Sequence, residues 1–187
     1  MEPWILMLIL MALLLLIRVP IAVALAFSAT LALFITEGGS TAIEIIAQRM
    51  YGVTRSWVLL AIPFFMLAGA IMESGGLTRR IVAFASALVG FLPGGLAAVN
   101  VLASMLFGGI TGSASADTSA LGSILIPAMR RQNYSGPFSA AVTASSSCIG
   151  MIIPPSIPMV LWSFVSGVSL GNLFLGGMVP GIIVGLI

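Results

Sequence analysis

The residues best suited to chemistry lie in one stretch, residues 108–122, GGITGSASADTSALG. Within it, Gly112, Ser113, Ser115, Asp117 and Thr118 gather hydroxyls and a carboxylate in a short polar run. Hydroxyl, carboxylate and backbone carbonyl oxygens are hard ligands, suited to a small cation such as sodium. Ser113, Ser115 and Asp117 are the candidate sodium ligands. The chain has no histidine, which excludes Ser-His nucleophilic catalysis and histidine proton relays. Asp117 is the sole acid in the apolar body around it, so no carboxylate pair is available for acid–base work. The inventory is that of a protein that binds or conducts, not of an enzyme. No resident cofactor is expected beyond a coupling ion.

The elements around this stretch follow from composition. Of 187 residues, 60% are hydrophobic and 6% charged, where a soluble domain carries about a quarter charged residues. Such a chain cannot cover a soluble surface, so an all-α integral membrane protein surrounded by lipid is expected. A net charge of +2 gives no reason to invoke nucleic acid. The one cysteine, Cys148, sits in apolar sequence and reads as a small packing residue. Residues 3–17 lack a basic leader and an A-x-A site, so they read as a retained helix rather than a signal peptide.

Apolar runs at 4–17 and 21–36 predict two tilted helices joined at Arg18-Val19-Pro20. Residues 41–55 place Ile43, Ile46, Ala47 and Met50 on one helical face, which fits either an interfacial helix or an ordinary loop helix. Residues 56–73 predict a full span, with Trp57 as an interfacial anchor and Pro63 as a kink. Residues 80–90 are too short to cross alone.

Two apolar limbs flank the polar stretch, at 95–108 and 118–129. At ~1.5 Å per residue each reaches only about 20 Å, against a hydrocarbon core of ~30 Å. A re-entrant hairpin over 93–130 is therefore expected, the alternative being one continuous helix through 95–129 that would put the flanking arginine pairs on opposite sides. The hairpin would put the pairs Arg79/Arg80 and Arg130/Arg131 on one side, the cytoplasm by the positive-inside rule. Arg18 then falls inside, and Glu2, Glu37 and Glu44 outside. A charged aspartate at mid-membrane costs about 2.5–3.5 kcal/mol, so Asp117 should have a compensating role. It either ligates a cation or orients the loop by accepting N–H bonds at the start of the second limb.

A second interruption follows. Residues 136–149 start a helix whose small residues Ser139, Ala140, Thr143, Ala144 and Ser147 share a face for close backbone approach. Ser145 and Ser146 are weaker candidates, since mid-helix serines often bond their own backbone. Then Gly150 leads into Pro154, Pro155, Ser156 and Pro158, which predict a broken helix over 136–168 with its break at 150–158. Unwound backbone at membrane depth is tolerated only inside protein or beside a water-filled cavity. Gly150, Pro154, Pro155, Ser156 and Ser147 join the candidate ion and substrate site. Hairpins and broken helices in pairs mark secondary transporters built of inverted repeats, and one such set is present. A last apolar run over 171–187 is still continuing at the end, so a longer protein is expected.

The runs NVLASMLFGGITGSASADTSALGSILIPAMRR, AAVTASSSCIGMIIPPSIPMVLW and LAIPFFMLAGAIMESGGLTRRIVAFA resemble the large membrane subunit of tripartite ATP-independent periplasmic (TRAP) transporters. The similarity runs in order over essentially the whole chain and covers roughly the first half of such a subunit. It implies an elevator-type, sodium-coupled importer of C4-dicarboxylates, sialic acid or similar organic acids in the bacterial inner membrane. It implies two partners, a small membrane subunit of four helices and a periplasmic substrate-binding protein. It implies scaffold helices over 1–92 and a transport region over 93–187. Matched to the family, the hairpin tip is Gly112, Ser113, Ala114, Ser115, Ala116 and Asp117, and the broken helix is Gly150 to Pro158. The alternatives are a passive channel and a non-transporting structural subunit.

Overall fold

The structure, a computed structural model, describes residues 3–187. The expectation for Glu2 lies outside the described residues. Every regular element among them is helical, as composition required. The chain divides into two compact units, one up to Ser56 and one from Trp57 to Ile187.

The first unit holds α1 (Pro3–Leu16), α2 (Ile21–Glu37) and α3 (Gly39–Thr54). α1 and α2 pack on each other, as do α2 and α3. The turn between the first two is made by Arg18, whose φ of 65° lies in the left-handed region. Val19 N–H returns to the Leu14 carbonyl at 3.1 Å, which closes the helix end before Pro20 starts α2. Ala24, Ser28 and Ala32 are buried at i, i+4 and i+8 along α2, a small-residue stripe that admits a neighbouring backbone. By contrast, Leu16, Ile17, Ile21, Phe27 and Ile35 are exposed. A surface of that kind matches lipid, not water.

The second unit holds α4 (Trp57–Ser74), α5 (Leu77–Val89), α6 (Gly95–Thr111), α7 (Ala114–Arg131), α8 (Gly136–Ser147), α9 (Ile157–Ser166) and α10 (Leu170–Leu186). Among the described residues one helix, α4, is long and apolar enough to cross a membrane by length and composition. It runs unbroken through Pro63. Helices α1, α2, α6, α9 and α10 are apolar but shorter.

Helices α6 and α7 pack on each other and form a hairpin. Its limbs are longer than the apolar runs suggested, 17 and 18 residues, or about 25 and 27 Å at ~1.5 Å per residue. The reason is local. Ser113 caps α7 and accepts from Ala116 N–H, so the polar residues 114–118 become its first turns. Asp117 sits there in the favourable field of the helix N-terminus. Only Gly112 and Ser113 are left as the turn.

α5 lies against α6, and the unit's core is Ile81 and Ala85 packed with Val99, Ala103, Phe107, Ala120, Leu121 and Leu125. This packing carries Arg79 to a cleft shared with Ala120, Ser123 and Ile124. Arg79 therefore faces the middle of α7, while Arg130 and Arg131 end it.

Helix α8 ends in a 3-10 turn, Cys148–Met151, followed by bends up to Ser156. The interruption thus starts at Cys148 and stops at Ser156, two residues earlier at each end than expected. Pro158 lies in the first turn of α9, where a missing N–H is no loss. The expected small face of α8 is shifted. Ser139, Thr143, Ser146 and Ser147 are buried, while Ala140 and Ala144 are exposed. Cys148 is exposed rather than packed.

Candidate functional site

The hairpin turn and the helix break meet. Gly112 is buried with φ 60°, and its carbonyl accepts Ile157 N–H at 3.4 Å. A Cβ on Gly112 would lie 2.7 Å from the Pro155 carbonyl oxygen and 3.2 Å from Ser156 Cα. Only glycine tolerates both that φ and that approach. One turn earlier in α6, a Cβ on Gly109 would lie 3.4 Å from the Pro154 carbonyl. The two prolines therefore present carbonyls, not rings alone, to the hairpin.

Asp117 is fully buried beneath this contact. Its Oδ1 accepts the Thr111 hydroxyl, and its Oδ2 has no hydrogen-bond partner. Oδ2 faces the point where α6 and the 3-10 turn touch. A Cβ on Gly150 would overlap Oδ2 and lie 2.6 Å from Gly108 Cα, and a Cβ on Gly108 would lie 3.0 Å from Oδ2. Gly108 and Gly150 thus let two backbones close over a carboxylate oxygen. A buried carboxylate oxygen without a donor is costly, and such an orphan calls for an explanation.

The remaining candidates divide. Ser113 Oγ and Ser115 Oγ lie 3.1 Å apart, with Ser115 exposed. Both line a cavity of about 370 Å³ together with Gly112, Met151 and Pro158. Ser113 also lines a second cavity of about 180 Å³ with Gly69, Glu73, Thr111 and Ile157. Ser156 is buried and caps α9, accepting Met159 N–H at 3.4 Å while donating to the Met151 carbonyl at 2.5 Å. Thr118 donates to the Ala114 carbonyl and Ser147 to the Thr143 carbonyl, each within its own helix. Ser145 does the same with Ala141 and Val142.

Two features were not singled out in the sequence. One is Thr111, the partner of Asp117 across the Gly112-Ser113 turn. The other is a buried polar network behind the site. Asn100 Nδ2 donates to Thr143 Oγ1 at 2.7 Å. Ser146 Oγ donates to Asn100 Oδ1 at 3.4 Å and lies 2.9 Å from Ser104 Oγ. Polar groups every three to four residues on α6 and α8 were the available signal. The network satisfies each member and ties the first limb of the hairpin to α8.

Fold and site together define a class, an all-helical membrane protein in which a hairpin turn docks on an interrupted helix over a buried carboxylate. The family model for the tripartite ATP-independent periplasmic transporter, DctM component, matches residues 8–187. The sialic acid TRAP transporter large permease protein SiaM of Vibrio cholerae is 45% identical over 157 residues, covering 84% of this chain and 36% of that protein. The 2,3-diketo-L-gulonate TRAP transporter large permease protein YiaN of Escherichia coli is 47% identical over 143 residues, 76% of this chain and 34% of that protein. The C4-dicarboxylate TRAP transporter large permease protein DctM of Pseudomonas aeruginosa is 42% identical over 156 residues, 83% and 36% respectively. The chain belongs to the DctM family of TRAP transporter large permeases, which are transporter subunits and not enzymes. It spans about a third of the length of these relatives.

Proposed function

We propose that this chain is part of a sodium-coupled secondary importer of small organic acids, such as dicarboxylates, sialic acid or similar carboxylates. It acts in the bacterial inner membrane as a multi-pass protein. A periplasmic binding protein delivers the substrate, and a small four-helix membrane subunit completes the assembly. The observation that carries this reading is the orphaned Oδ2 of the fully buried Asp117, at the junction of hairpin and broken helix. The relatives named above support the substrate class, since their substrates are organic acids.

The residues fit a small hard cation. Asp117 supplies the charge, Thr111 holds its other oxygen, and Ser113 and Ser115 offer hydroxyls at the turn. Gly112, Gly150, Pro154, Pro155 and Ser156 bring carbonyls and a helix N-terminus to the same junction, chemistry that suits sodium on one side and a substrate carboxylate on the other. The coupling ion supplies charge that balances the buried carboxylate. We further propose that the hairpin is re-entrant, since neither limb is both long and apolar enough to cross alone: α6 has 17 residues, and α7, at 18, opens on polar residues and ends on Arg130 and Arg131. In this reading 93–187 belong to a part that moves against scaffold helices in 1–92, as one repeat of an inverted-repeat, elevator-type fold.

The test is uptake into proteoliposomes with both partners present. Asp117→Ala and Ser113→Ala should abolish or strongly reduce sodium-dependent accumulation. Undiminished uptake in both variants would remove the ion-site assignment.

A further inference from the structure

A second polar cleft lies away from the hairpin turn, between the end of α4, the start of α5 and the middle of α7. It has a volume of about 210 Å³ and is lined by Glu73, Gly76, Thr78, Arg79 and Ser123, among others. Thr78 is 6% exposed, and its hydroxyl has no hydrogen-bond partner. The residue stands in the first turn of α5, a helix of 13 residues whose N-cap is Gly76 with no side-chain cap. The first-turn N–H groups therefore have no side-chain acceptor. A hydroxyl donor, uncapped peptide donors and the Arg79 guanidinium converge on one small volume, which is the complement of an oxyanion. Ser123 gives its proton to the Ala120 carbonyl at 2.8 Å, which leaves its lone pairs to accept.

Glu73 decides the ligand class. A bare anion would meet its carboxylate in the same cleft. A ligand with a cationic group beside its oxyanion satisfies both sides. A tetrahedral phosphate uses more of the converging donors than a planar carboxylate does. The charges also bound α4, the helix long enough to cross a bilayer, and the ends of a spanning helix lie where lipid headgroups lie. Glu73 and Arg79 are exposed while Thr78 is buried, so the cleft opens at the surface and closes on the hydroxyl.

We propose that this cleft binds a phosphate ester carrying a primary ammonium, the chemistry of phosphoethanolamine, either as a phospholipid headgroup or as a free ester. The phosphate sits at Thr78, Arg79 and the start of α5, and the ammonium at Glu73. The site shares Glu73 with the cavity beside Ser113 and Thr111 but contains none of the sodium candidates.

The experiment measures ligand-induced shifts in melting temperature for the chain purified in detergent micelles. The probes are phosphatidylethanolamine, phosphatidylglycerol and water-soluble glycerophosphoethanolamine. Phosphatidylethanolamine should stabilise the chain and phosphatidylglycerol should do so less. Thr78→Val and the surface change Arg79→Gln should each weaken the ethanolamine response roughly tenfold, as loss of a hydrogen bond to a charged group implies. Glu73→Gln should remove the preference for ethanolamine over glycerol while keeping phosphate affinity. A response to glycerophosphoethanolamine equal to that of the lipid identifies a free ester, and a response to the lipid alone identifies the headgroup. Equal responses to both lipids in the unaltered chain, or native-like binding by both Thr78→Val and Arg79→Gln, overturns the proposal.

Discussion

Asp117 is held by one neighbour and exposed to none. Its Oδ1 takes the Thr111 hydroxyl, and its Oδ2 faces the Gly108–Gly150 contact. Thr111→Val should cost about 1–3 kcal/mol, the penalty of a buried acceptor left unsatisfied, read as a lowered melting temperature in detergent. Gly150→Ala places a methyl group against Asp117 Oδ2 and the backbone of Gly108. Neither can retreat, so it should destabilise by about 1–3 kcal/mol. Gly176→Ala meets nothing within 4 Å and should instead stabilise its helix by about 0.5–1 kcal/mol. The same melting assay compares the two, and equal effects would deny the close approach. Asp117 stood out in the sequence because a lone acid in apolar surroundings is expensive. Thr111 did not, because six residues across a glycine turn is no regular spacing. Only the fold makes them partners.

Helix ends carry the local architecture. Ser113, Ser135 and Ser156 cap α7, α8 and α9, each accepting an N–H from its first turn. Ser156→Ala should cost about 1 kcal/mol from the cap alone, and more through the lost bond to the Met151 carbonyl. Amide hydrogen exchange should speed up at Met159 and Val160 and stay unchanged in α5. Protection unaltered at Met159 and Val160 would mean the break is held by other contacts. The break itself was legible, since Pro154, Pro155 and Pro158 put three prolines in five residues, more than a helix that passes through the lone Pro63 has to accommodate. Its ends were not, because Pro158 is compatible with a first turn and the 3-10 turn at Cys148 has no sequence signature. The hairpin was legible from its two apolar limbs. Their true length was hidden because capped, small polar residues continue α7 where hydropathy stops. The burial of Ser139, Thr143, Ser146 and Ser147, with Ala140 and Ala144 outside, also escaped a count of small residues. Polar contacts to Asn100 and Ser104 set that face, and hydropathy does not see them.

At the scale of the molecule, the described residues expose large apolar side chains and bury polar ones beside an apolar core. Trp57, Phe64 and Leu67 are exposed on α4, while Asn100, Ser104, Asp117, Thr143 and Ser146 are buried. That inversion suits a bilayer, and it was legible from composition alone. The arrangement of α5 against α6 was not, since it depends on packing of Ile81 and Ala85 rather than on charge. The central claim is that Asp117 couples transport of an organic acid to sodium. The most direct test is uptake of a mixed pool of organic acids into proteoliposomes holding the full-length permease with its small membrane subunit and binding protein. An inward sodium gradient is compared with choline, for the unaltered protein and for Asp117→Asn. Accumulation of one acid only with sodium, lost in Asp117→Asn, is the predicted result. Equal, non-concentrative flux in both salts, or sodium-driven accumulation that survives Asp117→Asn, would contradict the account.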